Sequence, residues 1–149
     1  MKKSIITLIA LIVLAVGIYF VIGLFYVKPP TPILTVEDKK VEGIQGSYCW
    51  DGLLYSVCAD TSSPPEMIKN QDLKPIVVSS QSNLKIEYKN KPQENAVKVN
   101  QWLTNGNTKD VPINDNAIQL PKEKGVFVYD VSARWEKGSS SYAFVVEVK

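Results

Sequence analysis

The chain has 149 residues, near-balanced charge (17 Lys+Arg against 15 Asp+Glu) and no histidine. The missing histidine excludes Ser-His and Cys-His nucleophile pairs and the usual zinc ligand sets. The balanced charge gives no basic patch for nucleic acid, and the length suffices for one modest core rather than two.

From the N-terminus, Met1, Lys2 and Lys3 precede a stretch from Ile5 to Val27 with no charged residue. Crossing a bilayer core takes about 20 apolar residues, and a helix of this length reaches roughly 34 Å. Phe25 and Tyr26 stand where an interfacial aromatic belt belongs. The sequence therefore divides into a head (1–3), a transmembrane helix (4–27), a Pro-rich spacer (28–32) and a folded domain (33–149). A cleaved signal peptide would have an apolar stretch of about 7–15 residues ending in a small-residue motif. This stretch is longer and ends in Val27-Lys28-Pro29, so an uncleaved anchor is expected. Lys28, Lys39 and Lys40 nearly balance the lysines of the head. A short charged head is hard to translocate, however, whereas long domains cross largely regardless of charge. The N-terminus is expected inside and the domain outside, anchored by the helix.

Beyond the spacer, Ile33–Val36 and Val41–Ile44 read as strands around a turn at Asp38-Lys39-Lys40. Gly46-Ser47-Tyr48-Cys49-Trp50-Asp51-Gly52-Leu53-Leu54-Tyr55-Ser56-Val57-Cys58 is the sharpest local feature. Two readings of it compete. An Asp51-Gly52 two-residue turn would set Cys49 opposite Leu54 and leave Cys58 about 13 Å away, beyond disulfide reach. A wider loop would join the cysteines, stabilising the fold by roughly 2.5–3 kcal/mol in the chain-entropy treatment. Outside the cell the Cys49–Cys58 disulfide is expected. Tyr48, Trp50, Leu53, Leu54 and Tyr55 are then either a rigid hot spot for a partner protein or packing at one end of the fold.

Ser63-Pro64-Pro65-Glu66 is a helix start with a capping residue, a proline suited to the first turn and a capping-box glutamate. Asn70-Gln71-Asp72 and Pro75 keep that helix short. From Pro75 the pattern is β. Leu84, Ile86 and Tyr88 alternate with charged residues; Ala96–Leu103 is a strand closed by the tight-turn pair Asn105-Gly106; Val111–Ile113 and Ala117–Leu120 are short strands. Alternation puts Trp102 with Lys98 and Asn100 on a polar face, and a bulge returning it to the core is expected. In the last hairpin Phe127, Tyr129, Val131, Ala133 and Trp135 share one face, and after Gly138-Ser139-Ser140 the residues Tyr142, Phe144, Val146 and Val148 resume it.

Seven to nine alternating strands argue for an antiparallel sandwich. The ending "GVFVYDVSARWEKGSSSYAFVVEVK" resembles the last two strands of bacterial immunoglobulin-like domains. Gly46-Ser47-Tyr48-Cys49-Trp50, with Cys58, resembles small membrane-anchored envelope proteins of Gram-positive bacteria. The fold implied is an all-β, immunoglobulin-like sandwich with one short helix behind a single transmembrane helix. The chain lacks the inter-sheet cysteines of antibody-type domains, and no functional residue carries over.

Candidate chemistry is sparse. Ser82-Asn83-Leu84-Lys85 matches a Ser-x-x-Lys pattern, but residues three apart on a strand point to opposite faces. Asp51, Asp60, Glu87 and Asp110 are scattered acids, any two of which could meet, and Asn114-Asp115-Asn116 reads as a turn before a calcium ligand. No catalytic residue, metal or cofactor is expected. The expected function is a non-catalytic module that binds an envelope protein, the alternatives being an envelope hydrolase with a carboxylate pair or an inhibitor of secreted hydrolases.

Overall fold

The computed structural model describes residues 2–25, 28–52 and 55–149. Two helices and eleven strands are found among them: α1 (Lys2–Phe25), β1 (Ile33–Val36), β2 (Lys39–Val41), β3 (Gly43–Asp51), β4 (Ser56–Ala59), α2 (Pro64–Asn70), β5 (Ile76–Val78), β6 (Asn83–Glu87), β7 (Lys98–Trp102), β8 (Thr108–Val111), β9 (Ala117–Gln119), β10 (Gly125–Trp135) and β11 (Gly138–Val148). The uncharged run is helical in α1 as far as Phe25, its last two residues, Tyr26 and Val27, lying outside the described residues, and from Ser4 to Val21 none of it is buried against the rest of the chain. It is long and apolar enough to span a membrane, a description that a signal sequence also meets.

The strands form a sandwich of two sheets. The smaller has the order β2-β1-β6-β9, and the larger runs β4-β3-β11-β10-β7-β8 with β5 added in parallel beside the end of β11. All other pairs are antiparallel. The inner faces are those the alternation marks: Leu34, Leu84, Ile86 and Ile118 of the small sheet meet Val99, Tyr129, Val131, Phe144, Val146 and Val148 of the large one. Tyr129 and Phe144 stack with ring centroids 5.3 Å apart at the centre.

Several turns differ from the sequence expectation. The first hairpin closes at Glu37-Asp38, both at positive φ, a two-residue turn that fits the twist of its strands and pairs Val36 with Lys39. Asn105-Gly106 belongs to a three-residue loop: Leu103 N–H donates to the Asn107 carbonyl, Gly106 N–H to the Leu103 carbonyl, and Gly106 alone takes positive φ. This moves the following strand to Thr108–Val111, earlier than Val111–Ile113. The preceding strand is shorter than Ala96–Leu103, spanning Lys98–Trp102. Asn114-Asp115-Asn116 is a turn, with Asp115 and Asn116 at positive φ and Asn114 bonded both ways to Ala117. The last hairpin turns at Glu136-Lys137, so Gly138-Ser139-Ser140 already pair with β10.

The helix α2 starts where its signals place it, with Glu66 Oε2 accepting from the Ser63 N–H at 3.2 Å. It packs on the outer face of the large sheet. Ala143 and Val145 are therefore buried there although Tyr142, Phe144 and Val146 occupy the inner face. Gly46 leaves the room: a Cβ on it would stand 3.5 Å from Met67 Cε, the buried residue of α2.

Gly138 is the tightest backbone approach. It pairs with Trp50 at φ +140°, and a Cβ there would overlap the Cys49 carbonyl oxygen. Gly138→Ala combines a left-handed φ with a backbone clash and is expected to cost at least about 2 kcal/mol in chemical denaturation. Gly106→Ala has open space around its Cβ and should cost about 1 kcal/mol. Equal losses at the two positions would contradict this packing.

Candidate functional site

The β3–β4 hairpin is built against the turn of the last hairpin. The register of β3 with β11 shifts between Ser140 and Tyr142, so that Gly46 and Ser47 together oppose Ser141. Ser141 Oγ donates to the Ser47 carbonyl at 3.1 Å, and Ser47 Oγ accepts from the Thr61 N–H at 3.1 Å. Past this bulge Trp50 lies against Trp135, with centroids 5.5 Å apart edge to face. Trp135 in turn meets Tyr88 at 5.1 Å and donates through Nε1 to the Asn90 carbonyl at 2.9 Å. The three rings close one end of the sandwich.

Cys49 and Cys58 are direct cross-strand partners, Cα atoms 4.1 Å apart, and are joined in a disulfide. The two-residue Asp51-Gly52 turn is thus not formed, since Asp51 still belongs to β3. Asp51 pairs with Ser56 and accepts from Ser56 Oγ, while Gly52 N–H donates to the Tyr55 carbonyl at 2.9 Å. Asp51 N–H also donates to the Lys137 carbonyl at 2.7 Å, tying this hairpin to the turn of the last one. Of the five residues the sequence singles out, Tyr48 and Trp50 are half-buried and Tyr55 is 43% exposed at the tip. Leu53 and Leu54 lie outside the described residues.

The scattered acids are placed apart. Asp51 is held by Ser56, and Asp60 is exposed in the link to α2. Glu87 and Asp110 both line a cleft of about 850 Å³ that opens at one side of the sandwich over Ile86, Val97, Val99 and Val111. They sit on its opposite lips. Glu87 alternates with buried Ile86, and Asp110 pairs with Asn100 on the other sheet's outer face, so alternation turns the two carboxylates away from each other. Ser82 donates to the Ser79 carbonyl at 2.8 Å, ahead of the strand that carries Lys85. Among the described residues no three of His, Cys, Asp and Glu gather as metal ligands.

Trp102 corrects the sequence reading. The β7–β10 register runs unbroken from Lys98 to Trp102, without a bulge. The indole stays half-buried on the outer face, where its Nε1 donates to Asp130 Oδ1 at 2.6 Å, and Asn100 Nδ2 donates to Asp130 Oδ2 at 3.2 Å. This network is invisible in the sequence because Asp130 meets Asn100 only through strand register. Burial raises the Asp130 pKa, and the Trp102 and Asn100 hydrogen bonds oppose the rise. Burial likewise pushes the Tyr129 phenol up to about 12.

No protein family, no curated protein and no solved structure matches this chain.

A carboxylate whose folded pKa lies above its unfolded one binds its proton more readily in the native state. Asp130 therefore favours folding fully below its unfolded pKa, and this contribution is lost as pH rises through the folded value. Asp130→Asn keeps an acceptor for Trp102 but removes the buried charge. Its melting temperature relative to the parent should be higher at neutral pH than near pH 4, measured by calorimetry. A difference independent of pH would contradict the assignment.

Proposed function

We propose that this chain is a non-catalytic, single-pass recognition module. In this reading α1 stays as the anchor, the N-terminus is inside, and the sandwich, immunoglobulin-like in kind, stands outside the membrane and binds an envelope protein. The observation that carries the reading is the exposed Tyr55 at the tip of a hairpin stapled at its base by Cys49–Cys58 and backed by Trp50 on Trp135. A large amphipathic side chain on a rigid support loses little entropy on binding, the arrangement that interface hot spots favour. The resemblance to anchored envelope proteins of Gram-positive bacteria supports the anchor and the outer placement, and carries no functional residue. Tyr48, Trp50, Leu53 and Leu54 complete the proposed contact region.

The cleft flanked by Glu87 and Asp110 favours a second reading, an envelope hydrolase. Its weakness is the opposed direction of the two acids. An inhibitor of secreted hydrolases would use the same hairpin tip as an inserting element.

The test separates binding from folding. Trp50→Ala removes a packed ring and should cost about 3 kcal/mol, so it is uninformative alone. Tyr55→Ala should lower crosslinked partner recovery from native membranes at least roughly tenfold in protein that thermal denaturation shows to be still folded. Unchanged recovery with Tyr55→Ala would remove the tip from the binding surface.

A further inference from the structure

The spacer is docked on the domain. Pro29 and Pro32 are buried, and Thr31 Oγ1 lies 3.2 Å from the Tyr142 hydroxyl. Four peptide steps separate Phe25, the last residue of α1, from buried Pro29, so the chain covers at most about 14 Å between them. If α1 spans a bilayer, the end of the sandwich around the spacer stands at or just above headgroup depth, since the headgroup layer adds roughly 5–8 Å to each side of the hydrocarbon core.

That end is basic. Pro30 borders a depression formed with Lys28, Lys91, Lys137, Trp50 and Trp135, in which Glu136 is the one acid among the described residues. Lys89 adjoins Pro30 on the neighbouring flank; farther along it, Lys40 and Glu42 offset each other. The four lysines are exposed. Four lysines against one glutamate contrast with the whole segment from Lys28 to Lys149, where 15 basic and 15 acidic residues cancel. The lysines are dispersed in sequence and gathered only by the fold.

We propose that this lysine-rich end docks on the anionic headgroups of the membrane that holds α1, fixing the domain upright with half-buried Trp50, backed by Trp135, toward the interface. The docking rests on the anchor reading above and adds an orientation to it. Lysines near an anionic surface each favour the docked state by roughly fivefold, an attraction that falls off within a Debye length. The docked end and the hairpin tip share Trp50, so docking would also fix which side of Tyr55 a partner approaches.

The full chain is reconstituted in nanodiscs of phosphatidylcholine, with or without phosphatidylglycerol, containing a gadolinium-chelating headgroup lipid. Relaxation of the Lys89, Lys91 and Lys137 amides is then read by NMR. The proposal expects enhancement in the anionic discs at least roughly threefold above that in neutral discs. About 0.5 M salt should abolish the difference. So should the triple variant K89E/K91E/K137E, whereas the charge-matched control K109E/K122E/K124E should keep it. Equal enhancement in both discs, or loss of the difference in the control as well, would overturn the docking while leaving the anchor intact. Failure of the chain to remain in either disc would overturn anchor and docking together.

Discussion

The structure depends on the unbroken pairing of β10 with β11, eleven residue pairs from Gly125–Val148 to Trp135–Gly138. Each other part of the large sheet is attached to this ribbon. β3 and β5 share the far edge of β11, one antiparallel and one parallel, and β7 takes the far edge of β10. The inner face carries Tyr129, Val131, Phe144 and Val146 into the core, while Ala143 and Val145 on the outer face receive α2. A ribbon buried on both faces cannot shift by one residue without exposing an entire apolar row, so its register is strongly specified.

The ribbon also positions the hairpin tip. Its two-residue turn brings Gly138 against the Cys49 backbone and offers the Lys137 carbonyl to Asp51. A side chain at position 138 would push β3 away and, with it, Trp50 off Trp135. The disulfide then adds a covalent link to the ladder that pairs β4, a four-residue edge strand, with β3. Short edge strands are otherwise apt to fray or pair elsewhere. Tyr55 is thus connected to the core through a glycine, a backbone hydrogen bond and a covalent bond.

Features legible in the sequence are those set by local chemistry. The composition of Ile5–Val27 marks α1, Ser63 to Glu66 mark α2, and alternation in Phe127–Trp135 and Tyr142–Val148 assigns the core faces. Features that require knowing which strands are neighbours escape it. Trp102 illustrates the reason: an indole on a polar face looks misplaced until register supplies Asp130 as acceptor for its N–H. The parallel pairing of β5, the burial of both faces of β11 and the gathering of Lys28, Lys89, Lys91 and Lys137 are likewise products of topology. The cysteine segment lies between these cases. Its residues allow two turns, and keeping Asp51 in the ladder opposite Ser56 rather than in a two-residue turn moves the partner of Cys49 four residues along, from Leu54 to Cys58.

The proposal that α1 displays a disulfide-stapled domain outside the membrane is tested most directly by labelling intact cells with a membrane-impermeant maleimide, before and after a reductant. Modification of both cysteines only after reduction, with no need for lysis, is the predicted result. Labelling without reductant would contradict the disulfide, and labelling that requires lysis would contradict the orientation.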